Sequence, residues 1–214
     1  MNIGVLKKHR FIAILRHVNH SDIKEVARAL YDGGVRIIEV TFDPSNQETV
    51  YNVTKSINII RGLYGENIHI GAGTVLTMEF AEAAYRAGAE FMVSPCTDQK
   101  IIAYAKGHDM LSMPGAYTPT EIMNAYNMGA DVVKIFPVLP ENIGYLKTII
   151  SPLSHIPFVP TGGINPATIQ DFFNTGAIAV AAGASLVNSN IIQNRDFKII
   201  TENVRKHLDR IKEK

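Results

Sequence analysis

The sequence predicts an α/β protein of the (β/α)8 TIM-barrel class, folded as a single domain over residues 1–214. Short β-branched apolar runs recur, amphipathic segments of helical period lie between them, and no linker or change of composition divides the chain. A doubly wound open sheet is the structural alternative. The predicted strands are residues 11–15, 36–42, 69–75, 91–95, 110–115, 132–138, 157–163 and 177–184.

The intervening helices begin and end at suitable residues. In the segment 21–34, Ser21 and Asp22 suit a helix start, an apolar face repeats with the helical period, and Gly33 and Gly34 suit the end. A glycine also precedes later strands in "YRAGAEF", "NMGADVV" and "FNTGAIAV". This spacing is typical of repeated βαβ units.

Composition and charge disfavour several classes of protein. Apolar residues make up 46% of the chain and charged residues 19%, which is enough apolar material for a sizeable core. The net charge is +1 with both signs scattered, so neither a nucleic acid nor a membrane surface is a predicted partner. The single cysteine, Cys96, is predicted to be a packed or loop thiol. No apolar run suits a signal peptide or a membrane span, so we expect a cytoplasmic protein.

Lys134 is the most unusual residue of the sixth predicted strand. It lies within "DVVKIFPV", where its neighbours are apolar. It could extend to solvent or pair with Glu39, or desolvation could lower its pKa. At an ordinary pKa near 10.4 about one lysine in a few thousand is neutral at pH 7, whereas a pKa near 7 makes about half of them nucleophilic. A lysine of the second kind is suited to forming a Schiff base with a ketone.

A Schiff-base lysine needs a proton shuttle and a group that holds an anionic substrate. Glu39, on the second strand, could alternate as base and acid, or form a structural ion pair. Arg16, at the end of the first strand, could bind a carboxylate or phosphate, or be solvated. Side-chain alternation is compatible with Glu39 and Lys134 facing one another, but leaves open which face of each strand points inward.

Two glycine-containing loops follow the last two predicted strands, in "PTGGIN" and "AAGAS". Many barrels bind phosphate there through backbone N–H groups and a helix N-terminus. "GAGT" at 71–74 lacks the third glycine and the acidic partner of a dinucleotide site. His17 and His20 lack a third ligand, so no metal or other cofactor is predicted. The candidate phosphate-binding residues are Thr161, Gly162, Gly163, Gly183, Ala184 and Ser185.

Motifs along the chain resemble those of the 2-keto-3-deoxy-6-phosphogluconate (KDPG) / 4-hydroxy-2-oxoglutarate (KHG) aldolases from about Phe11 to Ser185. They are "GGVRIIEVTF", "GAGTVL", "AGAEFMVSP", "MPGAYTPTE", "KIFP" and "FVPTGGI", in that order. The resemblance implies a class I aldolase on a (β/α)8 barrel, usually a homotrimer, in Entner–Doudoroff carbohydrate metabolism. Its expected partner is a phosphorylated keto-acid substrate, cleaved to pyruvate and glyceraldehyde 3-phosphate. The iminium serves as the electron sink, so this chemistry needs no metal.

The resemblance also implies a role for each matching residue. Lys134 of K-I-F-P is similar to the Schiff-base lysine, and Glu39 of E-V-T to the general acid/base. Thr74 of G-A-G-T resembles the residue that binds the pyruvate carboxylate. Pro95 and Phe136 resemble apolar walls around the pyruvyl group. The T-G-G-I loop and the serine after strand eight, Ser185, resemble the phosphate binders.

One position departs from part of the family. Asp43 in "EVTFDPSN" stands where some members have an arginine, whereas Arg16 in "AILRH" matches members that end strand one in arginine. Aldolases for the galactonate epimer share A-I-L-R and K-I-F-P but tend to lack the threonine of T-G-G, so the gluconate substrate is favoured. Two other hypotheses remain open. They are a sugar-phosphate isomerase or epimerase with Glu39 as base and Lys134 as a charge, and a catalytically silent protein that binds a phosphorylated metabolite.

Overall fold

The computed structural model describes residues 1–211 and has short strands separated by helices. All strand pairs are parallel. Eight of the nine strands begin within three residues of a predicted start, so the predicted alternation and the α/β class are confirmed. In chain order the strands are β1 Phe11–Leu15, β2 Ile37–Thr41, β3 His69–Gly73, β4 Phe91–Val93, β5 Leu111–Met113, β6 Gly115–Ala116, β7 Val133–Ile135, β8 Phe158–Pro160 and β9 Val180–Ala182.

Half of the helices begin at a residue whose side chain accepts a hydrogen bond from the first turn. The predicted helix 21–34 is observed as Ile23–Gly33, and Gly34 ends it with a φ of 111°, a left-handed conformation that suits glycine. The helices are α1 Ile3–His9, α2 Ile23–Gly33, α3 Thr49–Tyr64, α4 Met78–Arg86, α5 Gln99–Gly107, α6 Pro119–Asn127, α7 Ile143–Ile150, α8 Ile169–Phe173, α9 Ser189–Gln193 and α10 Phe197–Leu208, with single 3-10 turns at Gly65–Asn67, Pro140–Asn142 and Ser151–Leu153.

The strands form a curled six-stranded sheet, ordered β5-β4-β3-β2-β1-β9, and a three-stranded sheet, β6-β7-β8. The first strand lies between β2 and the last strand β9, which differs from the strand order of a doubly wound sheet. The two sheets meet at both ends. Thr161, just after β8, forms a parallel bridge with Ala181 of β9, and the Val132 N–H donates to the Ser112 carbonyl over 3.2 Å.

The fifth predicted strand, 110–115, is divided in the structure into β5 and β6 at Pro114. Proline has no N–H to donate to a strand ladder, so pairing is interrupted at that residue. Its carbonyl still accepts a 2.9 Å hydrogen bond from the N–H of Lys134. The prediction of one continuous strand here is therefore wrong in detail, because the proline ends one ladder and a new one begins after it.

Two clusters of buried side chains show which face of each strand points inward. One cluster packs the strands against the helices and includes Ile38, Val133 and Ile135. The other joins residues of several strands with Leu6 of α1, which is possible only if those residues face one another inside the curled sheets. Ile37 and Val132 belong to this interior cluster. Side chains alternate, so positions 39 and 134, two residues further along, also point inward.

Candidate active site

Lys134 lies at the centre of β7 with 3% of its surface exposed. Its amine Nζ is 4.9 Å from the centre of the Phe136 ring and forms none of the ion pairs within 4.0 Å among residues 1–211. Burial lowers the pKa of Lys134, and the charge of Arg16 adds to this shift, whereas the Glu39 carboxylate opposes it. The neutral, nucleophilic amine is therefore favoured here far more than on an exposed lysine.

Glu39 occupies the corresponding inward position on β2 with 2% of its surface exposed. Burial raises the pKa of its carboxyl group, and the positive charges of Lys134 and Arg16 oppose that rise. The structure thus brings Lys134 and Arg16 close enough to Glu39 to affect the pKa of its carboxyl group, which agrees with the positions of Glu39 and Lys134 on their strands. A carboxyl group with a raised pKa can serve as both proton donor and acceptor near neutral pH.

Two glycines of β3 make room for this interior. A methyl group on Gly73 would collide with Oε1 of Glu39, and one on Gly71 would collide with the ring of Phe91. Neither glycine is among the predicted site residues. Their alternation within a strand is the available signal, because a glycine inside a strand often marks a close approach.

Thr74 follows β3 directly and is partly buried, with a φ of 57°. The left-handed region is unusual for a β-branched residue, and such backbone conformations cluster at functional sites. Pro95 does not line the same cavity as the glycine loops. It lines a neighbouring depression of about 370 Å³ that also contains Gly115 and Tyr117, and Phe136 borders both spaces.

A cavity of about 540 Å³ opens at the carboxyl ends of β1, β8 and β9. It is walled by Ile14 and Phe136 and continues to the loops after β8 and β9. The two glycine loops, distant in sequence, therefore face one space. The predicted substrate-binding residues that line it are Arg16, Phe136, Thr161, Gly162, Gly163, Gly183, Ala184 and Ser185.

The loops present unused hydrogen-bond donors. Among residues 1–211, the backbone N–H groups of Gly162, Gly163, Ala184 and Ser185 have no protein acceptor. The Thr161 hydroxyl is buried and likewise has no hydrogen-bond partner. Gly163 and Ala184 are exposed and Gly162 and Ser185 half-buried, so their N–H groups can meet solvent, whereas the Thr161 hydroxyl is buried. Buried polar groups are normally paired, so this hydroxyl, beside N–H groups without a protein acceptor, indicates a site for an acceptor-rich ligand. The helices that follow these loops, α8 and α9, have only five residues each. The indication of a ligand site therefore comes from the unpaired donors and not from the N-terminus of a helix.

Positive charge reaches the cavity through Arg16, whose side chain is exposed at its rim. The adjacent His17 has a φ of 55° and places Nδ1 at 3.3 Å from Oδ2 of Asp43. Hydrogen bonds from Ser45 and the nearby His17 hold the pKa of Asp43 below its usual range. Asp43 is thus held by hydrogen bonds from Ser45 of its own loop and by its contact with His17, next to the rim of the cavity.

Other features of the chain concern metal binding, membrane insertion and the single cysteine, which lies beside Pro95 in the neighbouring depression. Residues 1–211 contain no group of three or more histidine, cysteine or acidic side chains placed to hold a metal ion. Within the same residues no helix is long and apolar enough to span a membrane. Cys96 is an exposed loop thiol rather than a packed one. The arrangement as a whole offers a buried amine for attack on a carbonyl, a carboxyl group for proton transfer and a donor-lined cavity for an anion.

Several known proteins of similar sequence and structure are aldolases. The family model "Aldolase: KDPG and KHG aldolase" matches residues 3–203. The 2-dehydro-3-deoxy-phosphogluconate aldolase of Treponema pallidum is 33% identical over 92% of this chain and 90% of its own. The 2-dehydro-3-deoxy-6-phosphogalactonate aldolase of Escherichia coli K12 is 31% identical over 82% and 83%. A KDPG aldolase from Legionella pneumophila, captured with pyruvate as a covalent carbinolamine, has a TM-score of 0.84 at 25% identity, covering 96% of this chain and 97% of that one.

Gly73→Ala should destabilise the protein by about 1–3 kcal/mol, because the added methyl group overpacks the interior against Glu39. Urea unfolding measures this loss. Gly107→Ala is the matched control, since an added Cβ there meets nothing within 4 Å, and we expect no loss of stability. Equal stability of Gly73→Ala and the wild type would contradict the close approach of Gly73 and Glu39.

Thr161→Val should stabilise the unliganded protein by about 1 kcal/mol, because it removes a buried hydroxyl that has no partner. The same change should weaken binding of inorganic phosphate about tenfold in calorimetry, if that hydroxyl serves the ligand. Ser56→Ala is the control. It removes another buried hydroxyl that has no partner, and this one does not line the cavity, so stability should rise and phosphate affinity should stay the same. Unchanged phosphate affinity in Thr161→Val would contradict the role of Thr161.

Proposed function

The chain belongs to the KDPG and KHG aldolase family, and on that premise we propose that it is a class I aldolase in which Lys134 forms the Schiff base. It cleaves 2-dehydro-3-deoxy-6-phosphogluconate reversibly to pyruvate and glyceraldehyde 3-phosphate, and 4-hydroxy-2-oxoglutarate to pyruvate and glyoxylate. The observation that carries this proposal is the buried Lys134 amine, which has a lowered pKa and no ion-pair partner within 4.0 Å among the described residues.

The reaction begins with attack of the neutral Lys134 Nζ on the C2 ketone, which gives a carbinolamine. Glu39, in its acid form, donates a proton to the carbinolamine hydroxyl, directly or through a water, and water leaves to give the iminium. The Glu39 carboxylate then takes the proton of the C4 hydroxyl. The C3–C4 bond breaks, its electrons pass into the iminium, and the aldehyde product departs.

The enamine left on Lys134 is protonated at C3 by Glu39. Water then hydrolyses the resulting iminium to release pyruvate and the neutral amine, and the proton set free in this step returns to the Glu39 carboxylate. Glu39 thus gives, takes, gives and regains a proton, and ends the cycle in the acid form in which it began. This alternation requires that both its forms be accessible, which the opposing effects of burial and of nearby positive charge on its pKa support.

The two sheets act together as one closed (β/α)8 barrel in this proposal, with β5 and β6 as a single strand interrupted at Pro114. The bridge between Thr161 and Ala181 and the hydrogen bond from Val132 to Ser112 support it, since they join the sheets at both ends. Chemistry at the carboxyl ends of strands is the general rule for such barrels.

The substrate lies along the line from Lys134 to the glycine loops. Thr74 binds the pyruvate carboxylate, and Phe136 and Pro95 form apolar walls, with Phe136 bordering both cavity and depression. The phosphate occupies the cavity and receives hydrogen bonds from the loops of Thr161–Gly163 and Gly183–Ser185, which line it. Arg16, on the rim of the same cavity, supplies the cation for the phosphate.

The gluconate substrate is favoured over the galactonate epimer. Thr161 is present in Thr-Gly-Gly, and the gluconate-named relative of T. pallidum is more similar, over more of the chain, than the galactonate-named one. A homotrimeric state, a cytoplasmic location and a place in Entner–Doudoroff metabolism complete the proposal, and family membership supports them.

Reductive trapping tests the Schiff base. Incubation with pyruvate and borohydride should add the mass of one reduced pyruvyl group to the wild type, because reduction makes the imine permanent, and should add none to Lys134→Ala. Mass spectrometry measures the gain. No gain in the wild type, or a gain that survives Lys134→Ala, would overturn the proposal. Turnover by Lys134→Arg distinguishes the aldolase from the isomerase hypothesis. Arginine keeps the positive charge but forms no imine, so an aldolase should lose its turnover, and retained turnover would favour the isomerase.

The rate of pyruvate release tests which substrate is preferred. A coupled assay should show faster release from the gluconate-derived substrate than from the galactonate-derived one, with 4-hydroxy-2-oxoglutarate as the unphosphorylated comparison. Phosphate binding without any turnover would instead indicate the catalytically silent binding protein.

A further inference from the structure

His207 of α10 is a buried titratable residue that the reaction does not use. Its exposed surface is 1%, and the ring of Phe11 in β1 packs on it with ring centres 5.7 Å apart. Its Nε2 lies 3.1 Å from Oγ of Ser185, a residue that lines the cavity proposed for the phosphate. His207 therefore lies directly behind a side chain of that site.

The Ser185 hydroxyl has one hydrogen and two partners within the protein. Its Oγ is 2.9 Å from the Ile164 carbonyl, which can only accept, and 3.1 Å from Nε2 of His207. The other ring nitrogen, Nδ1, is 2.7 Å from the Asn203 carbonyl, so Nδ1 carries a hydrogen. In a neutral ring Nε2 is then bare and accepts.

A neutral His207 consequently leaves Ser185 poorly prepared for an anion. Both inner partners are then acceptors, so the hydroxyl hydrogen points to one of them and the oxygen lone pairs remain for the cavity. A charged ring reverses this arrangement. Its Nε2–H donates to Oγ, so the hydroxyl hydrogen no longer points to the ring and can turn from the Ile164 carbonyl to an oxygen of a bound phosphate.

We infer that His207 is a positioning residue of the phosphate site, and that binding of a phosphate group draws one proton from solvent onto its ring, so that Ser185 donates to the phosphate. This inference rests on the proposed function for the identity of the substrate, but the ring, the serine and the cavity are features of the fold itself.

The surroundings of the ring agree with such a change. The groups that face it are the Asn203 carbonyl of its own helix, the Ile164 carbonyl after β8, Ser185 after β9 and the Phe11 ring of β1. The two carbonyls favour the charged ring, whereas burial outweighs them and lowers the pKa of His207. No charged side chain of residues 1–211 is among the causes of that shift. A phosphate dianion in the cavity would add the charge that stabilises the imidazolium.

Kinetics provide the first test. The first measurement compares kcat/KM for 2-dehydro-3-deoxy-6-phosphogluconate with kcat/KM for 4-hydroxy-2-oxoglutarate, which carries no phosphate. In His207→Leu the ratio of the two should fall about tenfold, because one hydrogen bond to a charged group is lost. The change should appear in the KM of the phosphorylated substrate. His207→Gln should recover most of the ratio, since its amide can donate to Ser185. Val204→Ala, on the buried face of the same helix, is the control for lost packing and should keep the wild-type ratio. An unchanged ratio in His207→Leu, or an equal fall in Val204→Ala, would overturn the inference.

Calorimetry provides a second test that needs no turnover. Inorganic phosphate is titrated into the wild type and into His207→Gln at pH 8, in two buffers of different ionisation enthalpy. The wild type should take up more protons per bound phosphate than the variant. Equal uptake would overturn the inference. Failure of the wild type to trap pyruvate with borohydride would instead count against the aldolase proposal, and the calorimetry would still decide the role of His207.

Discussion

The burial of the Lys134 amine is the constraint on which the rest of the site depends. An ammonium inside an apolar interior is costly, so the lysine remains there only as a group whose neutral form is favoured. Its lowered pKa lies below that of an unfolded chain. Between the two values the unfolded state binds more protons, so stability rises with pH across that window and is reduced below it. This loss of stability accompanies the nucleophilic role proposed for Lys134.

Glu39 and the interior glycines follow from that constraint. A carboxyl group that exchanges protons with an imine on Lys134, as proposed for Glu39, must be buried beside it. This requires space on the neighbouring strand, and Gly73 provides that space. The cavity proposed for the phosphate differs, because its loops leave N–H groups and the buried Thr161 hydroxyl without protein partners and therefore available to a ligand. His207 connects this cavity to α10, the helix that packs on α2.

Much of the fold could be predicted from the sequence because strand and helix periods differ and glycines mark the helix ends. The alternation along β2 and β7 correctly predicted that positions 39 and 134 could converge, but the inward face depended on contacts between distant strands. The break at Pro114, the separate depression of Pro95 and the left-handed backbone of Thr74 depended on local geometry that periodicity does not encode. The partnership of His207 with Ser185 joins residues 22 apart through tertiary packing, and a lone histidine in a helix carries no signal of it.

The pKa of Lys134 is the most direct measure of whether burial creates the nucleophile. The rate at which a small amine-reactive reagent modifies Lys134, followed against pH by mass spectrometry, reports the fraction of neutral amine without the help of Glu39 and should rise with pH through a midpoint below the ordinary value for lysine. In Glu39→Gln the midpoint should move lower still, because the negative charge that raises the pKa of Lys134 is gone. A midpoint at the ordinary value, unmoved by Glu39→Gln, would contradict the account.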